Sequence, residues 1–415
     1  MVNGMKHLSG YLLGEHLSHS FSPQIHSLIA DYSYGIKEVA KQDLSPFIAS
    51  ENFDFLNVTI PYKKDIIPLL SKLSEEAEKI GAVNTVKRSN GKLIGYNTDY
   101  YGFAYTLKKI GISVEGAKVL VLGSGGASMP VKAVLKDRGA AQIVTISRSG
   151  ENNYQNISKH SDADVIVNTT PVGMYPNNLE KLIDLSVFPN CRGVIDIVYN
   201  PLKTRLLLDA ENLGIKNICG LPMLVAQAKR AAEIFTDKDI DDAKIEEIIN
   251  IISYEMSNII LVGMPGCGKT TIGTAIAKLS NKTFIDCDEE FAKMFSISPA
   301  EAIKTLGEKK FRDMEHDVTL EVGKRTNCVI ATGGGVVTRK ENYEPLHQNG
   351  KIFFVERPLE LLPLCGRPLS QSKGTDKLYA ERLPLYLEFS DHTVENQDAY
   401  NAARVIIKIM KEGTV

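Results

Sequence analysis

The chain contains 415 residues, more than one ordinary domain holds, which indicates two or three domains. Hydrophobic residues form 43% and charged residues 24% of the sequence, a balance typical of globular proteins with sizeable cores. The formal charge of −2 gives no reason to expect nucleic acid or an anionic membrane as a partner. No apolar run approaches the roughly 18 residues of a membrane-spanning helix, and the 6 cysteines form no C-x-x-C pair. We therefore expect a cytoplasmic, multidomain α/β enzyme or binding protein.

The first part of the chain alternates short strands with helices. Apolar strands are predicted at residues 10–13 and 55–58, and a helix is predicted at residues 66–80. Pro-Tyr-Lys and Asn-Gly sequences separate these elements, as expected for turns.

The first of two glycine-rich turns lies between an apolar strand at 118–122 and a helix that extends to Arg138. It reads Gly123-Ser124-Gly125-Gly126-Ala127-Ser128 and fits the G-x-G-x-x-small pattern of dinucleotide-binding folds. In that pattern the first glycine allows a tight turn, and the second lets the backbone approach a pyrophosphate. A chance glycine turn is the alternative, but a further strand at 142–146 favours a βαβ unit.

The end of that further strand distinguishes between two dinucleotides. NAD-binding folds place Asp or Glu there to hold the ribose 2′-hydroxyl, whereas this chain has Ser147, Arg148 and Ser149. A guanidinium flanked by hydroxyls suits a 2′-phosphate through charge-assisted hydrogen bonds. The sequence therefore predicts NADP(H) rather than NAD(H), with a solvated surface arginine as the alternative.

An acidic amphipathic stretch at 237–254 is predicted to be a closing helix, which places a domain boundary near residue 255. The second glycine-rich turn follows it. Its sequence, Gly263-Met-Pro-Gly266-Cys267-Gly268-Lys269-Thr270, satisfies the P-loop pattern. The backbone N–H groups, continuing to Thr271, are expected to cradle the phosphates of ATP; Lys269 would reach the β/γ oxygens and Thr270 would bind Mg²⁺. Cys267 is expected to be a small filler of the loop.

Seven sequence blocks occur along the first 255 residues. They are Gly14-Glu-His-Leu-Ser-His-Ser20-Phe-Ser22-Pro-Gln-Ile-His26, Asn57-Val-Thr59-Ile-Pro-Tyr-Lys63, Gly81-Ala-Val-Asn84-Thr85, Gly95-Tyr-Asn-Thr-Asp99, Asn168-Thr-Thr-Pro-Val-Gly-Met174, Asp196-Ile197-Val-Tyr199-Asn-Pro201 and Gly220-Leu-Pro-Met-Leu-Val-Ala-Gln227-Ala228. Through these blocks the region resembles the shikimate dehydrogenase family. The resemblance implies a substrate-binding domain at 1–100 and an NADP-binding Rossmann domain at 101–255, whose last helices return to the substrate domain.

The resemblance also implies which residues surround the substrate. Lys63 and Asp99 would lie at the reacting carbon, where an ammonium can protonate the oxygen that becomes an alcohol and a carboxylate can orient it. Taken alone, these residues are more simply a solvated lysine and a helix cap. Hydroxyl and amide partners suit a polyhydroxylated acid, since a buried polar group that a wrong substrate leaves unpaired costs about 1–3 kcal/mol. The implied substrate contacts are Ser20, Ser22, Thr59, Asn84, Asp99, Tyr199 and Gln227, and the implied cofactor contacts include Ile197 and Gly220.

Five further blocks follow the second glycine-rich turn. They are Phe284-Ile-Asp286-Cys-Asp288, Gly307-Glu-Lys-Lys-Phe-Arg312-Asp-Met-Glu315, Ala331-Thr-Gly333-Gly334-Gly335-Val336, Gly366-Arg367-Pro-Leu369 and Glu381-Arg382-Leu-Pro-Leu-Tyr386. With the P-loop they resemble the shikimate kinase family, which implies a third domain with a parallel sheet at 256–415.

The kinase resemblance assigns a role to each charged residue. Asp286 would support the Mg²⁺ ion, and Asp288 would bind the accepting hydroxyl and act as its base. Arg312 and Arg382 would hold the substrate carboxylate, and Arg367 would neutralise the transferring phosphate. The three residues Gly333, Gly334 and Gly335 would form one wall of the site. A solvated turn is the alternative for the two aspartates.

One departure from the kinase family concerns the nucleotide. Many members have an arginine just before the position of Gly366 that stacks on adenine, and this chain has none there. Arg357 lies too close to the preceding strand to replace it.

Together the two resemblances imply consecutive reactions, in which NADPH reduces 3-dehydroshikimate and ATP phosphorylates the hydroxyl so formed. Three alternatives differ in identifiable residues. A quinate-type, NAD-dependent dehydrogenase is disfavoured by Arg148, and a gluconate-type kinase by Arg312 with the triple glycine. A ligand sensor that has lost its chemistry would lack Lys63, Asp99, Lys269 or Asp288, and all are present. The sequence leaves a homo-oligomer open.

Overall fold

The computed structural model describes residues 7–17, 20–50, 53–362 and 375–412. The chain divides into two compact units. The first comprises residues 1–172, 181–199 and 209–249, and the second comprises residues 173–180, 200–208 and 250–415. In the described parts of the chain, no helix has the length and apolar character needed to cross a membrane.

A six-stranded mixed sheet forms the N-terminal part of the first unit. Its elements are β1 (Ser9–Gly14), α1 (Ser22–Ile29), β2 (Ser33–Glu38), α2 (Leu44–Ala49), β3 (Phe55–Val58), β4 (Lys72–Leu73), α3 (Glu75–Ile80), β5 (Thr85–Ser89) and β6 (Lys92–Tyr96). The strand order is β2–β1–β3–β5–β6–β4. Strand β1 pairs in parallel with β2 and β3, whereas β5 is antiparallel to β3 and β6. The predicted strands at 10–13 and 55–58 are therefore present.

The helix predicted at 66–80 is wrong over its first half. Residues Ile67–Leu69 form a short 3₁₀ turn and Lys72–Leu73 form an edge strand, so that only Glu75–Ile80 is α-helical. Pro68 has no N–H to continue a helix. The hydroxyl of Ser74 accepts a hydrogen bond from the Ala77 N–H at 3.2 Å, which starts the helix at Glu75.

A five-stranded parallel sheet forms the rest of the first unit. The elements after β6 are α4 (Asp99–Ile110), β7 (Lys118–Leu122), α5 (Ser128–Asp137), β8 (Gln142–Ile146), β9 (Val165–Asn168), β10 (Gly193–Asp196), α6 (Arg205–Asn212), β11 (Lys216–Ile218), α7 (Leu221–Thr236) and α8 (Ala243–Met256). The division into units falls within α6 and α8, since residues 205–208 and 250–256 are assigned to the second unit. The strand order is β11–β10–β9–β7–β8. The chain leaves β7 for β8 and returns past β7 to β9. The end of β7 is therefore the topological switch point, where such sheets bind ligands.

The closing helix begins later than residue 237. Asp237 ends α7 in a left-handed conformation with φ of 54°, and the next helix begins only at Ala243. The Asp241 carboxylate accepts a hydrogen bond from the Ala243 N–H at 2.9 Å and so caps that helix.

A second five-stranded parallel sheet is the centre of the second unit. Its elements are β12 (Asn258–Val262), α9 (Lys269–Ser280), β13 (Thr283–Asp286), α10 (Cys287–Phe295), α11 (Pro299–Leu306), α12 (Glu308–Gly323), β14 (Cys328–Ala331), α13 (Tyr343–His347), β15 (Gly350–Glu356), α14 (Thr375–Phe389), β16 (His392–Glu395) and α15 (Ala399–Glu412). The strand order is β13–β14–β12–β15–β16. All five residues of β12 are buried, as expected for a central strand covered on both faces.

Two short segments from the region that resembles the dehydrogenase belong to the second unit. The Tyr175 hydroxyl donates to the carbonyl of Gly323 at 3.0 Å. Gln348 is fully buried and its side-chain amide exchanges two hydrogen bonds with Asn178, while its backbone carbonyl accepts from the Lys203 N–H at 2.9 Å. The second unit is therefore completed by residues far earlier in the sequence.

Replacing Gln348 with alanine is expected to destabilise the second unit by about 1–3 kcal/mol, because it leaves polar groups of Asn178 without a partner. Chemical denaturation of the full chain measures the free energy of unfolding. The matched control is Gln397→Ala, since Gln397 is exposed and its side-chain amide donates to nearby Glu395. An equal effect of the two substitutions contradicts the prediction.

Candidate active sites

An ion pair lies beside the first sheet. Lys63 lies in the turn after β3, and Asp99 is the first residue of α4. The Lys63 ammonium donates to the Asp99 carboxylate at 2.6 Å, and the two side chains are only 16% and 10% exposed. The ammonium therefore has a fixed direction and a nearby anion, as a proton donor to a substrate oxygen needs.

Amide and hydroxyl groups gather next to this pair. The side-chain oxygen Oδ1 of Asn84 accepts from the Thr98 N–H at 2.7 Å and from the Thr85 hydroxyl at 3.0 Å. The Thr98 hydroxyl lies 3.3 Å from Oε1 of Gln227. The structure thus brings together Asn84 and Gln227, which are far apart in sequence. Thr85 and Thr98 were missed by the sequence analysis, although both lie in the quoted blocks.

Three other candidates for substrate binding are placed near one another. The Ser20 and Ser22 hydroxyls are 3.1 Å apart. Phe21, between them, packs edge-on against Tyr199 with ring centroids 6.3 Å apart. Burial raises the pKa of Tyr199, so its hydroxyl stays protonated. Thr59 lies close to Gly14, which precedes the serine segment.

The glycine-rich turn after β7 has the features of a dinucleotide site. Gly123 has φ of 104°, which favours glycine, and a Cβ at Gly125 would have no atom of the described residues, other than its chain neighbours, within 4 Å. This space and the N-terminus of α5 fit a pyrophosphate. A Cβ at Gly126 would lie 3.9 Å from Cδ of Lys63, so the turn adjoins the ion pair. Ser124 and Ala127 lie within the same turn.

Other implied cofactor contacts lie at the ends of neighbouring strands. Arg148 and Ser149 are exposed after β8, and Ser147 is half-buried. The positive charge of Arg148 opposes the effect of burial on the pKa of Tyr154, so the two side chains are close. A Cβ at Gly220 would meet the carbonyl oxygen of Ile197 at 1.9 Å, which only glycine can avoid.

The P-loop connects β12 to α9. The Lys269 ammonium donates to the carbonyls of Gly263 at 2.8 Å and Met264 at 3.1 Å. Gly268 has φ of 103°, and a Cβ there would lie 2.4 Å from the Asn396 amide. Cys267 is fully buried, as a filler would be. Gly266 and Thr271 complete the loop and the first turn of α9, whose N–H groups suit phosphate oxygens.

Two carboxylates follow β13. The Thr270 hydroxyl donates to the Asp286 carboxylate at 2.9 Å. These two oxygen ligands fit Mg²⁺, which keeps several waters and binds phosphate oxygens besides one or two carboxylates. Among the described residues, no three His, Cys, Asp or Glu side chains group as a metal site. Desolvation by the surrounding protein and the negative charge of Asp286 raise the pKa of Asp288, although Lys269 and Arg312 lower it.

Two arginines line a cavity of about 470 Å³. Arg312 pairs with the Glu315 carboxylate at 2.7 Å, and buried Arg382 donates to the carbonyl of Gly334 at 2.9 Å. A Cβ at Gly335 would lie 2.2 Å from the Arg312 guanidinium, and one at Gly333 would lie 2.5 Å from Glu315. The triple glycine therefore leaves room for the side chains of Arg312 and Glu315. Glu315 was missed as a functional residue, although it lies three positions after Arg312.

One cavity lies apart from the candidate sites, one arginine lies outside the described residues, and another arginine lies beside the P-loop. A cavity of about 480 Å³ in the first unit is lined by Ile112, Leu185 and Arg192, and by none of the candidate site residues. Arg367 lies outside the described residues. Arg357 lies beside the P-loop, with its guanidinium 3.4 Å from the carbonyl of Gly266.

Taken together, the sites define an α/β enzyme that joins a dinucleotide-dependent oxidoreductase to a P-loop phosphotransferase. The family model of the shikimate dehydrogenase substrate-binding domain matches residues 12–86, and that of shikimate kinase matches residues 265–412.

Known relatives cover the first part of the chain. The NADP(+) shikimate dehydrogenase of Clostridium beijerinckii is 38% identical over 264 residues, which cover 59% of this chain and 97% of that protein. A chorismate mutase/shikimate 5-dehydrogenase fusion protein from Clostridium acetobutylicum is 38% identical, with a TM-score of 0.57 over 59% of this chain and 97% of that one. Shikimate 5-dehydrogenase from Thermus thermophilus, solved with NADP(H) and shikimate, is 32% identical with a TM-score of 0.54 over 58% and 97% of the two chains. The chain belongs to the shikimate dehydrogenase family and continues into a shikimate kinase domain.

Proposed function

We propose that the chain is a bifunctional enzyme of the shikimate pathway. It reduces 3-dehydroshikimate to shikimate with NADPH and then phosphorylates shikimate with ATP to give shikimate 3-phosphate. The observation that carries the proposal is the Lys63–Asp99 pair beside a dinucleotide turn in a chain that also holds a P-loop and an arginine-lined cavity. A sensor that had lost its chemistry would not need to retain both sets of reactive groups.

In the reduction, Lys63 donates the proton that the new alcohol requires, and Asp99 orients the ammonium towards the carbonyl oxygen. When bound, NADPH supplies the hydride to the carbonyl carbon. The hydroxyl and amide groups that pair with the polar groups of the substrate belong to Ser20, Ser22, Thr59, Asn84, Tyr199 and Gln227. The space beside Gly125 admits the pyrophosphate next to Lys63.

In the phosphorylation, Asp288 accepts the proton of the attacking substrate hydroxyl. The oxygen of that hydroxyl bonds to the γ-phosphorus of ATP, and ADP leaves. Lys269 neutralises charge on the phosphates, and Thr270 with Asp286 would hold Mg²⁺, which screens the same charge. Arg312 and Arg382 hold the substrate carboxylate, with Gly333, Gly334 and Gly335 as one wall of the site. Arg367 would neutralise the transferring phosphate, as the family resemblance implies.

A coupled assay on the full chain tests the proposal. With 3-dehydroshikimate and NADPH alone, NADPH absorbance should fall and shikimate should accumulate. Addition of ATP and Mg²⁺ should convert the shikimate to its 3-phosphate. Quinate and gluconate serve as competing substrates, and turnover of either above the shikimate compounds contradicts the assignment of that site.

Replacing Arg148 with aspartate is expected to shift cofactor preference from NADPH towards NADH. The change removes a cation suited to the 2′-phosphate and adds the carboxylate that NAD-binding folds place at the ribose. Values of kcat/KM for the two cofactors measure the shift. Arg138→Asp is a control for surface charge in the same unit, because Arg138 is exposed at the end of α5. An unchanged ratio for Arg148→Asp means that Arg148 is only a surface charge.

The substrates are small molecules, and neither nucleic acid nor a membrane is proposed as a partner. A cytoplasmic location follows from the proposed biosynthetic role. The proposed enzyme has its substrate-binding domain at residues 1–100, its NADP-binding domain at residues 101–255 and its kinase domain at residues 256–415.

A further inference from the structure

A chain of hydrogen bonds runs across the first sheet to Asn84. The Tyr34 hydroxyl donates to Oδ1 of Asn57 at 2.8 Å. Nδ2 of Asn57 donates to the Thr85 hydroxyl at 3.1 Å, and that hydroxyl donates to Oδ1 of Asn84 at 3.0 Å. Three of these four residues lie on different strands, so strand pairing sets the path.

Strand register places these side chains on one face of the sheet. Tyr34 and Phe55 both pair with Gly10 of the strand between them, and Asn57 pairs with Thr85. A Cβ at Gly10 would lie 2.3 Å from the Phe55 ring. Because Gly10 has no side chain, the Phe55 ring can lie over β1, and Tyr34 can reach towards β3 on the same face of the sheet.

The direction of each hydrogen bond is determined by its neighbours. The Tyr34 hydroxyl holds the Asn57 oxygen on its own side, so the Asn57 NH₂ group faces Thr85. The Thr85 oxygen accepts that N–H, which leaves its own proton for Oδ1 of Asn84 at 3.0 Å or for the Thr98 hydroxyl at 3.1 Å. If the Asn57 amide turned over, its oxygen would take the Thr85 proton, and Asn84 would lose that donor.

The environment of Tyr34 keeps it a donor. Its ring stacks on that of His26 with centroids 3.9 Å apart, and burial raises the pKa of Tyr34 well above its usual value. Burial also lowers the pKa of His26 to about 3, so the imidazole is neutral and presents no charge to the ring.

We propose that Tyr34 is a positioning residue for 3-dehydroshikimate, acting through Asn57 and Thr85 to orient the Asn84 amide. The Asn84 oxygen is held by Thr85 and by the Thr98 N–H, so its NH₂ group is directed to Thr98 and Gln227. The contact with Gln227 is long, at 3.5 Å, so a substrate hydroxyl oxygen can replace Gln227 as the acceptor of that N–H. This inference rests on the proposed reductase function of the first unit.

The test compares Tyr34→Phe with Tyr32→Phe in the full chain. Tyr32 contacts His26 in the same aromatic cluster at 2.6 Å but has no bond to Asn57 in the described structure. Loss of one hydrogen bond in Tyr34→Phe should raise the KM for the dehydroshikimate substrate about fivefold, with kcat and the KM for NADPH within about twofold of wild type, as for a loss of uniform binding. Tyr32→Phe should leave all three values unchanged.

A double-mutant cycle with Thr85→Val separates positioning from general packing. If Tyr34 acts through Thr85, Tyr34→Phe should raise KM no further in the Thr85→Val background. Additive effects, an unchanged KM for Tyr34→Phe, or an equal rise for Tyr32→Phe each overturn the inference. If Tyr34→Phe does not fold, Thr85→Val alone is measured, and an unchanged KM for it contradicts the pathway. Failure of the wild-type chain to reduce 3-dehydroshikimate would instead refute the proposed function.

Discussion

Replacing Lys63 with alanine is expected to slow the turnover of the dehydrogenase reaction by about 10²–10⁴, the usual contribution of a general acid. The Lys63 ammonium lies 2.6 Å from Asp99, and its side chain adjoins the dinucleotide turn at Gly126. Among the described residues, Lys63 is the lysine that pairs with Asp99, so its removal leaves that carboxylate without an ammonium. Phosphorylation of added shikimate should stay near the wild-type rate, because the P-loop and its partners are separate residues. The loss of NADPH absorbance and the formation of shikimate 3-phosphate measure the two activities.

Lys64→Ala is the matched control for this substitution. Lys64 is the next residue in the same turn and is exposed, so its removal deletes a positive charge without touching the ion pair. Both activities should stay near wild type in that variant. A Lys63→Ala enzyme that keeps more than about a tenth of the dehydrogenase turnover would contradict a general-acid role.

Local sequence patterns predicted the elements that carry the two sites. The strand predicted at 142–146 coincides with β8 (Gln142–Ile146), because four of its five residues are β-branched and so favour a strand. Each glycine-rich turn joins a buried strand to a helix, since close approach of the backbone requires residues without a side chain. The family blocks also included Asn84 and Gln227, which the structure brings together.

Long-range partners could not be predicted in this way. The bond between Tyr34 and Asn57 depends on the register of three strands and on the missing side chain of Gly10, which no short window reveals. The assignment of residues 173–180 and 200–208 to the second unit depends on partners such as Gln348, more than a hundred residues away. The helix predicted at 66–80 shows that apolar periodicity alone does not detect a proline and a serine cap.

Replacing Asp288 with asparagine is expected to slow the turnover of shikimate phosphorylation by about 10²–10⁴, because an amide cannot accept the proton of the attacking hydroxyl. Reduction of 3-dehydroshikimate should be unaffected. Glu289→Gln is the matched control, since Glu289 is the exposed neighbour on α10 and its loss removes the same charge. A kinase rate in Asp288→Asn equal to that of Glu289→Gln would rule out Asp288 as the base.

Although Asp288→Asn should slow phosphorylation, it should make the folded chain more stable near neutral pH. Desolvation by the surrounding protein and the Asp286 charge raise the pKa of Asp288 in the folded chain, so the folded state favours the protonated carboxyl. That preference stabilises the fold at pH values below the ordinary aspartate pKa and is lost as the pH rises through the raised value. Near neutral pH, Asp288→Asn should therefore unfold at a higher Tm than wild type, and the difference should vanish in acid. Thermal unfolding across pH measures this difference, and a lower Tm for the variant near neutral pH would mean that the ionised carboxylate holds the fold together rather than opposing it.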